Sequence, residues 1–236
     1  PKSAVTFDKA VEAAVALTGY DVYAQYNGGI MAAAAAADIL DGVGKEDDGY
    51  MRSGDVYVLL KNTLEAKLFV PSSYGAGGAD KYQVSDDSLL SQYCGIELYE
   101  GRIDGNFYTS LTGSSCGIGE ITLDGRKFGV GETNARDLLG YRVKAYVSKR
   151  DPGTIKHIEV KRNVTVKVID SLDIEPGKST TTRICVHDNN YKLIYEAVSP
   201  TAYVIVNGQL ISGATVSDII PENGRITLIS DTGTDA

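Results

Sequence analysis

The sequence predicts an α+β protein: a small N-terminal helical domain followed by antiparallel all-β modules, sandwich-like or barrel-like. Three observations predict it. Up to about residue 70, apolar residues recur at helical spacing. Beyond that point, short runs rich in Tyr, Val and Ile take over, as in "YRVKAYVSK", "VTVKVID" and "YKLIYEAV". The turn signals "DG", "NG", "DPG", "EPG" and "DNN" separate those runs. The expected divisions are helices over 1–70, a linker over 71–88, a β-rich module over 89–162 and a second over 163–236.

The first helix is expected over Thr6–Thr18, with Thr6 as N-cap through its side-chain oxygen and Gly19 as a left-handed exit. Val11, Ala14, Val15 and Thr18 line one face of it. The second is expected from Gly29 to Asp41, ending at Gly42, and its small Ala side chains admit a close neighbour. The third runs from Asp55 to Ala66. Val56, Leu59, Leu60, Thr63 and Leu64 form its apolar face, Ser53 and Asp55 supply cap and first-turn charge, and Lys61 and Glu65 stand four apart. The stretch "VPSSYGAGGADKYQVSDDS" then has linker composition. Among the strands that follow, "ARDLLGY" marks one helical turn.

A chain of 236 residues with net charge −8 can bury a real core, and its charge disfavours a nucleic-acid backbone as partner. No apolar run approaches the roughly 20 residues of a bilayer span, so no membrane insertion is expected. A start at Pro1, without a signal-peptide pattern, is expected of a processed chain or a piece of a longer one. The three cysteines, Cys94, Cys116 and Cys185, allow one pair at most; buried thiols are the first expectation and a Cys94–Cys116 bridge the second.

The start "MRSGDVYVLLKNTLE" echoes "VTFDKAVEAAVALTG". Laying Thr6 on Arg52 superposes the two helix starts 46 residues apart (52 − 6), and Val5/Met51, Ala10/Val56, Ala13/Leu59 and Ala14/Leu60 then coincide as core positions. Residues 5–66 resemble one and a half S-layer homology (SLH) repeats of surface proteins of the clostridial type. The resemblance rests on "VTFDKAVEAAVALTGY" with its Gly19-Tyr20 ending, on "GGIMAAAAAADILDGV", and above all on the "GDV…LLxNxL" pattern of "MRSGDVYVLLKNTLE". It implies helical repeats that bind a negatively charged secondary cell-wall polymer, with a motif Arg as the natural partner of its carboxylates. At the matching positions this chain has Phe7 and Ser53, with Arg52 one residue off, while Gly54 and Asp55 match. The resemblance therefore implies degenerate repeats, kept for packing more than for glycan. Arg52, Gly54 and Asp55 are the residues left to bind it.

Other chemistry is sparse in the sequence. His157 lies among charged neighbours, and His187 follows Cys185 by two residues, so both would share one strand face as a two-ligand start of a metal site. Glu46, Asp47 and Asp48, and the pair Asp86-Asp87, are calcium candidates without EF-hand spacing. "GVGKEDDG" lacks the Walker pattern, and "SYGAGGAD" and "CGIGEI" lack the dinucleotide fingerprint. The sequence thus points to a non-enzymatic structural subunit of an extracellular or cell-surface assembly (S-layer, appendage or sheath) that self-associates, with calcium as the cofactor to test. The alternatives are an anchor for secondary cell-wall polymer, a structural protein of a phage virion (tail or adhesion), and the non-catalytic flank of an enzyme.

Overall fold

A computed structural model describes residues 5–45, 49–73, 81–113, 116–151 and 153–231. The chain divides into two compact units, Pro1–Leu98 and Tyr99–Ala236. It is a mixed α+β protein in which a few helices precede many antiparallel strands in several small sheets.

In the first unit α1 spans Phe7–Leu17, α2 Asp21–Tyr26, α3 Ile30–Ala36 and α4 Ser53–Glu65. Helix α1 buries Phe7, Val11, Ala14 and Val15. It ends as its glycine predicts: Gly19 sits at φ +78°, and the Tyr20 N–H donates to the Val15 carbonyl at 3.0 Å, the Schellman closure. A side chain on Gly19 would start 2.3 Å from the Phe69 carbonyl oxygen, so glycine is required twice over. Short α2, which the sequence did not predict, is closed by the Asn27 side chain donating to the Tyr23 carbonyl. Helix α3 stops at Ala36, well before the expected Asp41. Asp38 adopts φ +55°, and the Ile39 N–H turns back to the Ala34 carbonyl at 2.9 Å. Fully buried Ile39 then seals the exit. Aspartate is one of the few non-glycine residues that tolerate this left-handed position.

The expected linker is a hairpin. Strand β1 (Lys67–Ser73) pairs antiparallel with β2 (Lys81–Ser88), and only the connection over 74–80 lies outside the described residues. Its Pro, Ser and Asp content disguised a strand register that pairs Phe69 with Val84 and Val70 with Gln83. Pro71 is tolerated because a two-stranded ribbon has open edges. The Phe69 ring stacks on Tyr82 at 5.5 Å and meets Tyr20 at 5.0 Å and Tyr23 at 5.9 Å, which binds hairpin to helices. A π-helical turn, Leu90–Cys94, follows.

In the second unit β3 (Ile96–Gly105), β4 (Glu120–Leu123), β5 (Arg126–Gly129), β6 (Arg142–Ser148) and β7 (Ile155–Val160) form one sheet in the order β5-β4-β3-β6-β7. Ile103, Ile121, Leu123, Phe128, Val143 and Ile155 are the centre of its core. The sheet curls until its rims meet: the Gly129 N–H donates to the Gly153 carbonyl at 2.7 Å, beside a parallel bridge from Gly129 to Thr154. The helical turn expected in "ARDLLGY" is a 3₁₀ turn at Ala135–Asp137.

A second core of Ile169, Ile174, Ile184, Val186, Val216 and Ile226 follows. It lies among two ladders, β8 (Val164–Asp170) with β13 (Arg225–Asp231) and β9 (Arg183–His187) with β10 (Leu193–Ala197). Strands β11 (Ile205–Val206) and β12 (Gln209–Leu210) make a small hairpin turning at Asn207-Gly208, both at positive φ as the "NG" signal requires. Residues on both sides of 163 fall in the one compact unit Tyr99–Ala236.

Candidate functional site

The residues singled out for glycan, Arg52, Gly54 and Asp55, lie at the start of α4. The two helix starts sit side by side: the Phe7 N–H donates to the Gly49 carbonyl at 2.9 Å, and Thr6 bridges Tyr50. Thr6 has φ −73°, ψ 151° and Arg52 φ −70°, ψ 154°, so both chains enter their helices in the same conformation. Neither residue caps through its side chain, which corrects the expectation for Thr6. Ser53 is the first helical residue, not the cap.

The likeness of the two helices stops at their starts. Counted from Thr6, α1 buries positions such as Ala14 and Thr18; counted from Arg52, α4 buries Leu59 and Thr63. The buried face of α4 comes one residue earlier, a rotation of about 100°. The expected pairing of Ala13 with Leu59 and of Ala14 with Leu60 as shared core positions therefore fails. Val56, Leu60 and Leu64 are 38%, 53% and 41% exposed and form a stripe at i, i+4 and i+8.

Asp55 is occupied. Its Oδ1 accepts the Gly44 N–H at 2.8 Å and ties the preceding loop to the helix. Two turns further on, the side chain of Asn62 does the same. Its Nδ2 donates to the carbonyls of Ile39 at 2.9 Å and Asp41 at 2.8 Å. This is the Asn of the "LLxNxL" pattern, and the sequence reading passed over it. The signal was a polar residue among the helix's apolar positions, which in a helix interior asks for a partner. Gly54 is exposed, with open space where a side chain would project, and Arg52 is exposed. Phe7, standing where the resemblance puts an anion-binding Arg, is buried in the helical core. The Lys45 ammonium lies 5.2 Å from its ring centre and 3.3 Å from Asp8. The helix start is thus a packed junction, with Arg52 and Gly54 on its surface and Asp55 turned inward.

The other candidates are spread apart. Glu46, Asp47 and Asp48 lie outside the described residues. Asp86 pairs with Lys67 at 3.2 Å, while Asp87 accepts the Ser91 hydroxyl at 2.9 Å. His157 is exposed, meeting the Tyr146 ring at 5.2 Å and Glu159 at 3.2 Å. Cys185 is fully buried in β9, and His187 faces Glu175 at 3.5 Å. Among the described residues no group of three or more His, Cys, Asp or Glu side chains could hold a metal, and no helix is long and apolar enough to cross a membrane. All three cysteines are free, so the Cys94–Cys116 bridge is not formed. Burial pushes the Cys116 thiol up from its ordinary value, with the Thr122 hydroxyl partly offsetting it.

Sequence reasoning missed two polar or concave features of the second unit. Buried Asp104 stands at an irregularity in the β3–β4 pairing. Its Oδ2 accepts the Gly125 N–H at 3.0 Å and the Thr112 hydroxyl at 3.3 Å. A cavity of about 430 Å³ opens beside β13, lined by residues of β13, of the segment before β12 and of the second core. Neither leaves a local signature, because each is assembled from residues far apart in the chain. No family model, no curated protein and no solved structure matches this chain.

Proposed function

We propose that this chain is a non-enzymatic structural subunit of an extracellular or cell-surface assembly, joined to its neighbours through strand edges. The observation that carries this reading is the number of open edges. Among the described residues four ladders, β1–β2, β8–β13, β9–β10 and β11–β12, are two-stranded, which leaves strand edges open, although the Glu175 amide on Cys185 already covers part of β9 and the Thr18 carbonyl under the Phe69 amide part of β1. On the β8 ladder Val166 and Val168 are exposed beside such an edge, on either side of Lys167, whose ammonium pairs with Glu196. The exposed Val56-Leu60-Leu64 stripe of α4 adds an apolar contact surface of a different kind.

The SLH resemblance is consistent with a cell-surface setting and belongs to the same proposal. It favours packing over polymer binding, since Asp55 is spent on Gly44 and Phe7 on the core. Sedimentation velocity over a wide concentration range tests the reading. The expected result is growth into larger species, with a threshold raised at least tenfold by Val166→Lys with Val168→Lys. A chain that stays monomeric throughout, with and without calcium, overturns it. Binding to polymer-bearing sacculi that is lost in Arg52→Ala favours the anchor reading instead.

A further inference from the structure

We infer that buried Asp104 anchors a site for one monovalent alkali cation, seated against Gly105 and completed by the hydroxyls of Thr122 and Ser110. This is independent of the assembly reading and holds whether or not the chain self-associates.

Charge carries the argument. Asp104 lies on β3, the central strand of its sheet, and is 6% exposed. Its Oδ2 has two neutral donors, the Gly125 amide and the Thr112 hydroxyl. Its Oδ1 is buried and has none. Among the described residues no Lys, Arg or His forms an ion pair with this carboxylate. Lys127, across the ladder from Thr122, is exposed. A buried carboxylate without a counter-charge is costly, and buried charges are as a rule paired or bound to a metal. A water molecule would give Oδ1 a donor but would leave the charge uncompensated.

The surroundings choose the ion. Asp104 stands where the β3–β4 register shifts, and the next residue, Gly105, pairs with Thr122. Thr122 is fully buried, and its hydroxyl oxygen has no hydrogen-bond partner apart from the Cys116 thiol beside it. Two open oxygens therefore belong to neighbouring positions of one ladder. Glycine keeps the place beside them clear: a Cβ on Gly105 would start 2.5 Å from Thr122 Oγ1 and 3.4 Å from Ser110 Oγ. Ser110 Oγ lies in turn 3.4 Å from the Asp104 carbonyl oxygen and 3.5 Å from Thr112 Oγ1. These are oxygen ligands, the kind that hard cations take. The Asp104 carboxylate is the only charge among them, so an ion of charge +1 leaves the site neutral. Calcium would bury an excess positive charge there, with no second carboxylate among these ligands to offset it.

The test melts the full chain in sodium chloride and in tetramethylammonium chloride, each at about 0.1 M so that general screening is equal. Tetramethylammonium is too large to enter a site of this kind. Sodium is expected to raise the midpoint of the second unit by about 3 °C or more, the shift of a well-filled site. Exchange of the Gly125 amide, which donates to Asp104, is expected to slow in sodium. Asp104→Asn keeps the shape without the charge and is expected to erase the difference between the salts. Thr122→Val is expected to raise severalfold the sodium concentration that gives half of the shift. Equal melting in the two salts overturns the inference, leaving a carboxyl served by water or a proton. A sodium effect that survives in Asp104→Asn also overturns it, since the ion then sits elsewhere. A rise given by calcium and not by sodium overturns the monovalent assignment. Should Asp104→Asn not fold, Thr122→Val decides, and an unchanged sodium response in it overturns the site.

Discussion

In the first unit the side chains of one helix tie down the loop before it, whereas the second unit draws most of its order from strand ladders and uses side chains only as local braces. In the first, Asp55 and Asn62 on one helix reach back to Gly44, Ile39 and Asp41, and Gly19 lets β1 close against the end of α1. In the second, the order comes from strand registers, and Asp104 is a local brace within them. The difference teaches where each unit is fragile. The helical unit depends on single atoms at its joints; the β unit spreads its dependence over many backbone bonds and exposes the surplus ones.

The largest expected effect is at Gly19. Gly19→Val places a Cβ against the Phe69 carbonyl and forces a β-branched residue to positive φ, at a cost of about 3 kcal/mol or more. Urea unfolding should show the loss in the first unit alone; an unchanged midpoint there would mean that β1 does not dock as described.

Next come the polar joints. Asn62→Ala removes two hydrogen bonds and strands two carbonyls, costing the first unit about 1–3 kcal/mol. Asp104→Ala, which leaves the Gly125 amide unpaired, should cost the second unit a similar amount. If either substitution lowers the midpoints of both units together, the division into independent compact units is wrong.

The smallest effect is the pH response, and it has opposite signs in the two units. In the second, the hydroxyl and amide of Thr215 hold the Asp218 carboxyl below its ordinary value. The amides of Lys192 and Asn190 do so for Asp188, and Thr154 with Lys156 for Asp151. A lowered carboxyl contributes stability above its unfolded value near 4 and loses it as pH falls through the folded one. In the first unit burial raises the Tyr20 hydroxyl, with Asp38 and Tyr23 adding to it. A raised phenol contributes stability below its unfolded value of about 10 and loses it as pH climbs through the folded one. The second unit should therefore soften first in acid and the first unit in alkali, as melting curves across pH would show. Tyr20→Phe should flatten the alkaline limb; an unaltered limb would remove Tyr20 as its cause.

What could be read in the sequence was what is local. Gly19 and the "NG" of the β11–β12 turn are legible because one residue type supplies the required backbone angle. The stop of α3 was not, because Asp38 takes the left-handed position that a reader grants to Gly42. The β1–β2 hairpin was hidden by composition, since Phe69 against Tyr82 is a contact across a connection that looks like a tether. At the candidate site Asp55 was visible as a first-turn acid, but its partner Gly44 lies eleven residues back and no periodicity announces it. The residues lining the cavity beside β13 come from separate segments, so their meeting is a property of the folded chain only.

The seam at Gly129 and Thr154 has a kinetic consequence. Strands β4 and β5 are joined by a tight turn and can zip within microseconds, as can β6 and β7. The seam needs the whole curl of the sheet in place before its two rims come within reach. It is therefore the step whose loop-closure entropy is met last, and β3, which must find both β4 and β6, sets its timing. During refolding the Gly129 amide should become protected from exchange after those of β4 and β6, as the clasp that reports a finished sheet.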